Sequence, residues 1–146
     1  MRIASGVLVL AITLMAGAAP AANGTQEFQV VVHPTVRGTW ISRVNLQALF
    51  TGKTDRWGDK TSAKPVDQSL KTPVRRAFTT SVLGLSMGEI QRYWQDRVAA
   101  DRVFPPPIKS SDEEILGFVA QNPGAVGYVG PDTVIPEGVK VISVTD

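Results

Sequence analysis

Along the chain from Phe28 onward, short β-branched runs alternate with stretches whose apolar residues recur at helical spacing. Phe28 to Val32 is a compact β-branched run, apolar but for Gln29, suited to a strand buried on both faces, and His33-Pro34 ends it because proline cannot donate to a ladder. Ser42 is a helix N-cap, after which Ile41, Val44, Ala48 and Leu49 share one face, joined by Leu46 and Phe50. The helix stops at Thr51, where Gly52 can take the left-handed position beyond the cap, and Trp57 folds back across a polar loop onto the helix. Lys64 to Asp67 reads as a short strand. Thr72 and Pro73 open a second helix carrying Val74, Ala77, Phe78 and Val82, ended by Gly84. Capping boxes at Ser86 to Glu89 and Ser111 to Glu114 open two more. In the first of these Ile90, Tyr93, Trp94 and Val98 face inward and Arg92, Asp96 and Arg97 outward; in the second Ile115, Phe118 and Val119 lead to a stop at Asn122-Pro123-Gly124. Between them Arg102 to Ile108, with three consecutive prolines, must be extended. Ala125 to Val129 and Val139 to Val144 are the closing strands. Strands alternating with helices predict an α/β layered domain with a mixed or mostly parallel sheet.

The N-terminus follows a different pattern. Met1-Arg2 is a short positive start, Ile3 to Leu14 is almost wholly apolar, and Ala19-Pro20-Ala21 places small residues where a signal peptidase cuts. The apolar run is shorter than the roughly 20 residues of a spanning helix, so residues 1–21 are expected to be a cleaved signal peptide directing the protein to the periplasm. Residues 22–146 then form one domain, too short for two well-packed cores. The chain has no cysteine, so stability must come from burial.

Charge adds one feature. Between Arg43 and Lys109 basic residues outnumber acidic ones twelve to six, whereas from Ser110 to Asp146 six acids face the single Lys140. The basic excess is concentrated at one helix start, where Lys71, Arg75 and Arg76 crowd the first turn with no acid among them, a setting that favours an anion. Other chemistry is poorly supported. Gly52-Lys53-Thr54 resembles the end of a phosphate-binding loop, but Gln47 stands where that motif needs glycine, and the segment follows a helix instead of a strand. His33 is the only histidine and has no partner in sequence, while Asp55 and Asp59 suit a solvated loop, so neither an enzyme nor a metal site is indicated. No cofactor or nucleic-acid signature is present.

Three segments carry a resemblance. LQALFTGKTDRW at Leu46 to Trp57, RRAFTTSVLG at Arg75 to Gly84 and QNPGAVGYVG at Gln121 to Gly130 are similar, in that order, to segments of the phosphate-type substrate-binding proteins that serve bacterial ABC transporters. The resemblance implies a type II periplasmic binding fold, in which an oxyanion is held between two α/β lobes; this chain has room for one such lobe, a single three-layer domain. The family's anion loop, of the form SGSGTR, is replaced by Leu70-Lys71-Thr72-Pro73-Val74-Arg75, where only Arg75 matches. Glycines that let backbone approach an anion are gone and Pro73 removes an amide donor.

Two functions follow as expectations. One is weak binding of phosphate or a related oxyanion at Ser69, Lys71, Thr72, Arg75 and Arg76, with an ABC transporter permease as partner. The other is a lobe without a small-molecule ligand, serving as a periplasmic interaction module that docks on an envelope protein or pairs as a homo-dimer.

Overall fold

The structure, a computed structural model, describes residues 27–146. The expected signal peptide lies outside the described residues. In chain order the elements are β1 (Gln29–Val32), β2 (Trp40–Ser42), α1 (Arg43–Phe50), β3 (Lys64–Pro65), β4 (Asp67–Gln68), α2 (Pro73–Phe78) with a π-helical turn (Thr79–Leu83), α3 (Met87–Asp101), β5 (Ile108–Lys109), α4 (Asp112–Gln121), β6 (Ala125–Val129) and β7 (Lys140–Thr145).

Five strands form a sheet in the order β2-β7-β1-β6-β3, and β4 pairs with β5 beside it. β1 runs antiparallel to both β6 and β7, whereas β2 with β7, β3 with β6 and β4 with β5 are parallel pairs. The sheet is therefore mixed, with one reversed strand at its centre. Side chains of β1 alternate between the two faces: Val30 and Val32 join Leu46, Phe50, Phe78, Val82, Ile90 and Trp94 in a large core, and Val31 joins Ile115 and Val119 of α4 in a smaller one. Helices on both faces give the three-layer α/β arrangement, and they explain why Val30 to Val32 of β1 and all of β6 are apolar without polar alternation. Phe78 and Tyr128 stack face to face at 3.9 Å between centroids in the larger core, with Phe50 tilted against both.

Local chemistry sets the element ends. Ser42 caps α1 by accepting from the Asn45 amide at 3.2 Å. Gly52, at φ +71, closes that helix as expected, and the carbonyls left open there are taken up by α3: Tyr93 Oη donates to the Thr51 carbonyl at 2.6 Å and Arg97 to that of Gly52 at 3.4 Å. Arg97 is thus half-buried, against the expectation that it faces outward. Val44 is likewise displaced from the expected core: it is 70% exposed, because the eight-residue α1 turns Leu46, Leu49 and Phe50 to the sheet while Ile41 is buried through β2. Trp57 reaches past α1 to donate from Nε1 to the Gly124 carbonyl at 2.9 Å. Gly124 has φ +81, and a β-carbon there would run into the Ser62 carbonyl, so the turn before β6 is locked onto the loop before β3.

Three further details differ from the sequence pattern. The Lys64 to Asp67 strand is broken at Val66, so β3 joins the main sheet and β4 the small one. The helix expected to run to Gly84 widens into a π turn, whose Ser81 and Val82 carbonyls accept from Arg43 and Gln47 of α1. At the start of α4, Ser111 caps Glu114, but the Glu114 carboxylate reaches back to Ser110 instead of closing the box on Ser111.

Gly127 offers a direct test of the α4 layer. A β-carbon there would come within 2.9 Å of both Ile115 Cγ2 and Val66 Cγ1. Gly127→Ala is expected to cost about 1–3 kcal/mol, seen as a lower urea midpoint with an unchanged slope. An unchanged midpoint would show that α4 packs less closely than this.

Candidate functional site

The strands β4 and β6 end on the same side of the domain as the starts of α2 and α4. In open α/β sheets this edge, beyond the carboxyl ends of the strands, is where ligands bind. Here it forms a shallow cavity of about 570 Å³ lined by Gln68, Thr72, Pro73, Ser111, Asp112 and Gly130, with Glu27 at its margin.

Of the sequence-predicted anion residues only Thr72 lines this cavity; Ser69, Lys71, Arg75 and Arg76 do not. Ser69 and Thr72 form a turn closed on itself: the Thr72 amide donates to the Ser69 carbonyl at 3.0 Å, the Lys71 amide to Ser69 Oγ at 3.3 Å, and the Arg75 amide to Thr72 Oγ1 at 3.4 Å. The Ser69 amide is held by the Lys109 carbonyl at 3.0 Å. With Pro73 contributing no donor, these amides are already committed. Lys71 and Arg76 are exposed, and neither forms an ion pair among the described residues.

Arg75 points inward and is only 4% exposed. Its Nη1 lies 3.0 Å from Asp67 Oδ1 and donates to the Gln68 carbonyl at 2.8 Å, and its Nε donates to Thr79 Oγ1 at 3.3 Å. Asp67 is equally buried, and it also accepts from Tyr128 Oη and from the Gln68 amide at 2.9 Å. The protein's own carboxylate therefore occupies the guanidinium. Burial pushes the Asp67 carboxyl above its ordinary range, against the pull of Arg75, Tyr128 and the Gln68 amide. The Tyr128 hydroxyl is pushed up strongly, by burial first and then by the Asp67 charge, so it stays a donor.

A second carboxylate fills the other helix start. Asp112 accepts from Gln68 Nε2 at 2.5 Å, from Thr133 Oγ1 at 2.5 Å and from the Gly130 amide at 2.9 Å. Burial, the largest single influence, raises its pKa, but the Thr133, Gln68 and Gly130 hydrogen bonds together hold it below the usual carboxylate range. Both helix starts at the cavity thus carry internal anions, and Asp112 and Glu27 make the surroundings repulsive to an incoming oxyanion. The sequence reading named Arg75 but missed Asp67, Gln68, Tyr128 and Asp112. Asp67, an acid ending the otherwise acid-free strand expected over Lys64 to Asp67, was the available signal. Among the described residues no three of His, Asp and Glu gather as a metal site.

Arg75→Ala strands the Asp67 charge in the core and is expected to cost about 3–5 kcal/mol, whereas Arg75→Met combined with Asp67→Asn should recover roughly half of that or more. Denaturant melts of the two variants check this; equal losses would show that the pair's geometry, not its charge, matters. Asp112→Ala should cost roughly 2 kcal/mol at pH 7. Because the folded pKa of Asp112 is depressed, its contribution is present above the unfolded value of about 3.9 and is lost as pH falls through the lower folded value. The stability gap between wild type and Asp112→Ala should therefore be flat from pH 6 to 8 and close at acid pH.

No protein-family model and no curated protein matches the chain. Solved structures do. An ABC-type phosphate transport receptor from Vibrio cholerae superposes with a TM-score of 0.62 at 20% identity, covering 82% of this chain and 47% of that one. A putative phosphate ABC transporter substrate-binding protein with bound phosphate from Clostridium perfringens gives 0.64 at 18% identity, covering 81% and 44%. PstS from Borrelia burgdorferi gives 0.63 at 16%, covering 82% and 47%. This chain therefore spans a little under half the length of the structures it matches, and what it shares with them is the fold of one lobe of a periplasmic binding protein of the phosphate-receptor type.

Proposed function

We propose that the chain is an exported, non-enzymatic solute-binding-like lobe that acts by docking on another protein of the cell envelope, with only weak attraction for phosphate at its surface. The observation that carries this reading is the burial of Arg75 against Asp67. A dry oxyanion site needs nearly all its acceptors satisfied, and each missing bond costs on the order of 1–3 kcal/mol. At Ser69 to Arg76 the guanidinium is occupied and the amides of Ser69, Lys71, Thr72 and Arg75 already have partners. Lys71 and Arg76 remain as exposed cations, whose attraction is screened at physiological salt.

The docking half of the proposal has its own support. Leu70, Phe104 and Ile108 are 38%, 70% and 53% exposed, and Pro105 to Pro107 lie beside them. Exposed apolar residues gathered on one side of a domain mark an interaction surface more often than a solvated one. Full phosphate-receptor activity would require the second wall of the cleft, and the solved structures that resemble this chain extend well beyond it.

Calorimetric titration of the exported protein with inorganic phosphate, in dilute phosphate-free buffer, tests the ligand half. The expected result is no saturable heat below about 1 mM, corresponding to less than about 4 kcal/mol of binding free energy. A micromolar Kd that is lost in Lys71→Ala or Arg76→Ala would overturn the reading in favour of retained oxyanion capture.

A further inference from the structure

At the end of the sheet opposite the strand-end cavity, the β1–β2 connection, β2, the start of α1 and the loop after α1 enclose a second cavity of about 480 Å³. β1 runs antiparallel to β6, with Gln29 beside Val129 and Val32 beside Val126, so the chain leaving β1 emerges at the other end of the sheet from Gly130. The cavity has three kinds of surface. Its floor is aliphatic, made of Val36, Ile41, Leu49 and Ile142, all buried in the larger core. Its walls are the indoles of Trp40 and Trp57, and the fold sets both in place: Trp40 sits on β2 opposite Ser143 of β7, and Trp57 is tied through Nε1 to the Gly124 carbonyl at 2.9 Å. Trp40 is nonetheless 63% exposed, a large apolar ring kept in water beside a concavity. The rim is polar, with Arg37, Asn45, Arg56 and Asp59. Hydrogen bonds from the Thr61 hydroxyl at 2.6 Å and the Thr61 amide at 3.0 Å fix the Asp59 carboxylate and hold it below the ordinary pKa range, with a smaller pull from Arg37. Arg56 is shared with Asp55 at 3.6 Å.

We infer that this cavity is a glycan subsite that takes an N-acetylated hexosamine unit, a function separate from the docking proposed above and independent of it. Each surface matches one part of that sugar. A pyranose ring presents an apolar C–H face, which an exposed indole covers, and an edge of hydroxyls, each of which donates and accepts at once. The rim supplies both roles: the guanidiniums of Arg37 and Arg56 are planar donors, the Asp59 carboxylate accepts, and the Asn45 amide does both. The acetamido group accounts for the floor, since its methyl meets the aliphatic side chains while its amide pairs with Asn45. Competing occupants fit less of the cavity. A plain hexose would turn a hydroxyl toward the aliphatic floor, where it has no partner. A flat aryl ring would fill the space between the indoles but displace water from Asp59 and the guanidiniums without replacing its hydrogen bonds. An anionic ligand gains little, because Asp55 and Asp59 offset Arg56 and Arg37. Apolar walls with a few convergent polar groups are the usual make of a small-ligand site.

The experiment uses protein exported from cells expressing the full chain, with triacetylchitotriose as the probe. Cellotriose, which has the same linkage but hydroxyls in place of the acetamido groups, and 2-naphthoate, an aryl anion, are the comparisons. Titrations are followed by the indole N–H resonances. The acetylated trisaccharide should bind saturably with a Kd below about 1 mM, and cellotriose about tenfold more weakly or not at all. Trp40 and Trp57 should shift and Trp94, which does not line the cavity, should not. Trp40→Ala, at an exposed position, should weaken binding about tenfold or more, with a urea melt showing that the fold is kept. Asn45→Ala, also exposed, should erase most of the preference for the acetylated sugar over cellotriose, which a merely structural role would not do. No saturation by the acetylated trisaccharide at about 10 mM, equal or tighter binding of cellotriose or 2-naphthoate, shifts centred on Trp94, or undiminished affinity in the two variants would overturn the inference.

Discussion

The ion pair of Asp67 and Arg75 constrains everything around it. A carboxylate and a guanidinium taken out of water together cost several kcal/mol each in desolvation, and only close geometry with further hydrogen bonds offsets that. Those further bonds come from three places: Tyr128 on β6, the Gln68 backbone and Thr79 in the π turn. The pair therefore fixes β4 to α2, and α2 to the central sheet, in one arrangement. The aromatic stack sits directly above it, since Tyr128 turns its ring to Phe78 and its hydroxyl to Asp67. One residue thus belongs at once to the apolar core and to the polar network.

Most of the fold was legible because its signals are local. Ser42, Thr72, Ser86 and Ser111 each cap a helix, as the serine or threonine before an apolar stripe predicts, and Gly52 and Gly84 both adopt positive φ at helix ends. Phe28 to Val32 and Ala125 to Val129 could be read as buried strands from their lack of polar alternation. What escaped was set by distant partners. β2, β4 and β5 are two- or three-residue strands whose existence depends on a neighbour supplying the ladder, and no run that short carries a period. The π turn is the same case: its widened carbonyls are tolerable because Arg43 and Gln47, more than thirty residues earlier, donate to them.

The site was legible in charge but not in direction. Lys71, Arg75 and Arg76 do crowd a helix start, yet the three side chains part company once the helix is placed. Helical geometry sends Arg75 toward the sheet with Phe78 and leaves Arg76 in solvent, so adjacency in sequence says little about shared contacts. The missing piece was the counter-charge. Asp67 lies eight residues upstream on another element, and only the fold reveals that strand β4 delivers its carboxylate to Arg75.

A neutralised arginine is a different instrument from a free one. Without a partner, a buried guanidinium attracts any anion of suitable size, and selectivity must come from the shape of its cradle. With Asp67 bound to one edge, the long-range attraction is cancelled while the short-range directionality of the remaining N–H groups survives. Such a group adds little net electrostatic pull for phosphate. The carboxylate and the guanidinium hold each other, so the start of α2 does not offer Arg75 as a free cation, and what the two groups contribute is the joining of β4, α2 and the sheet.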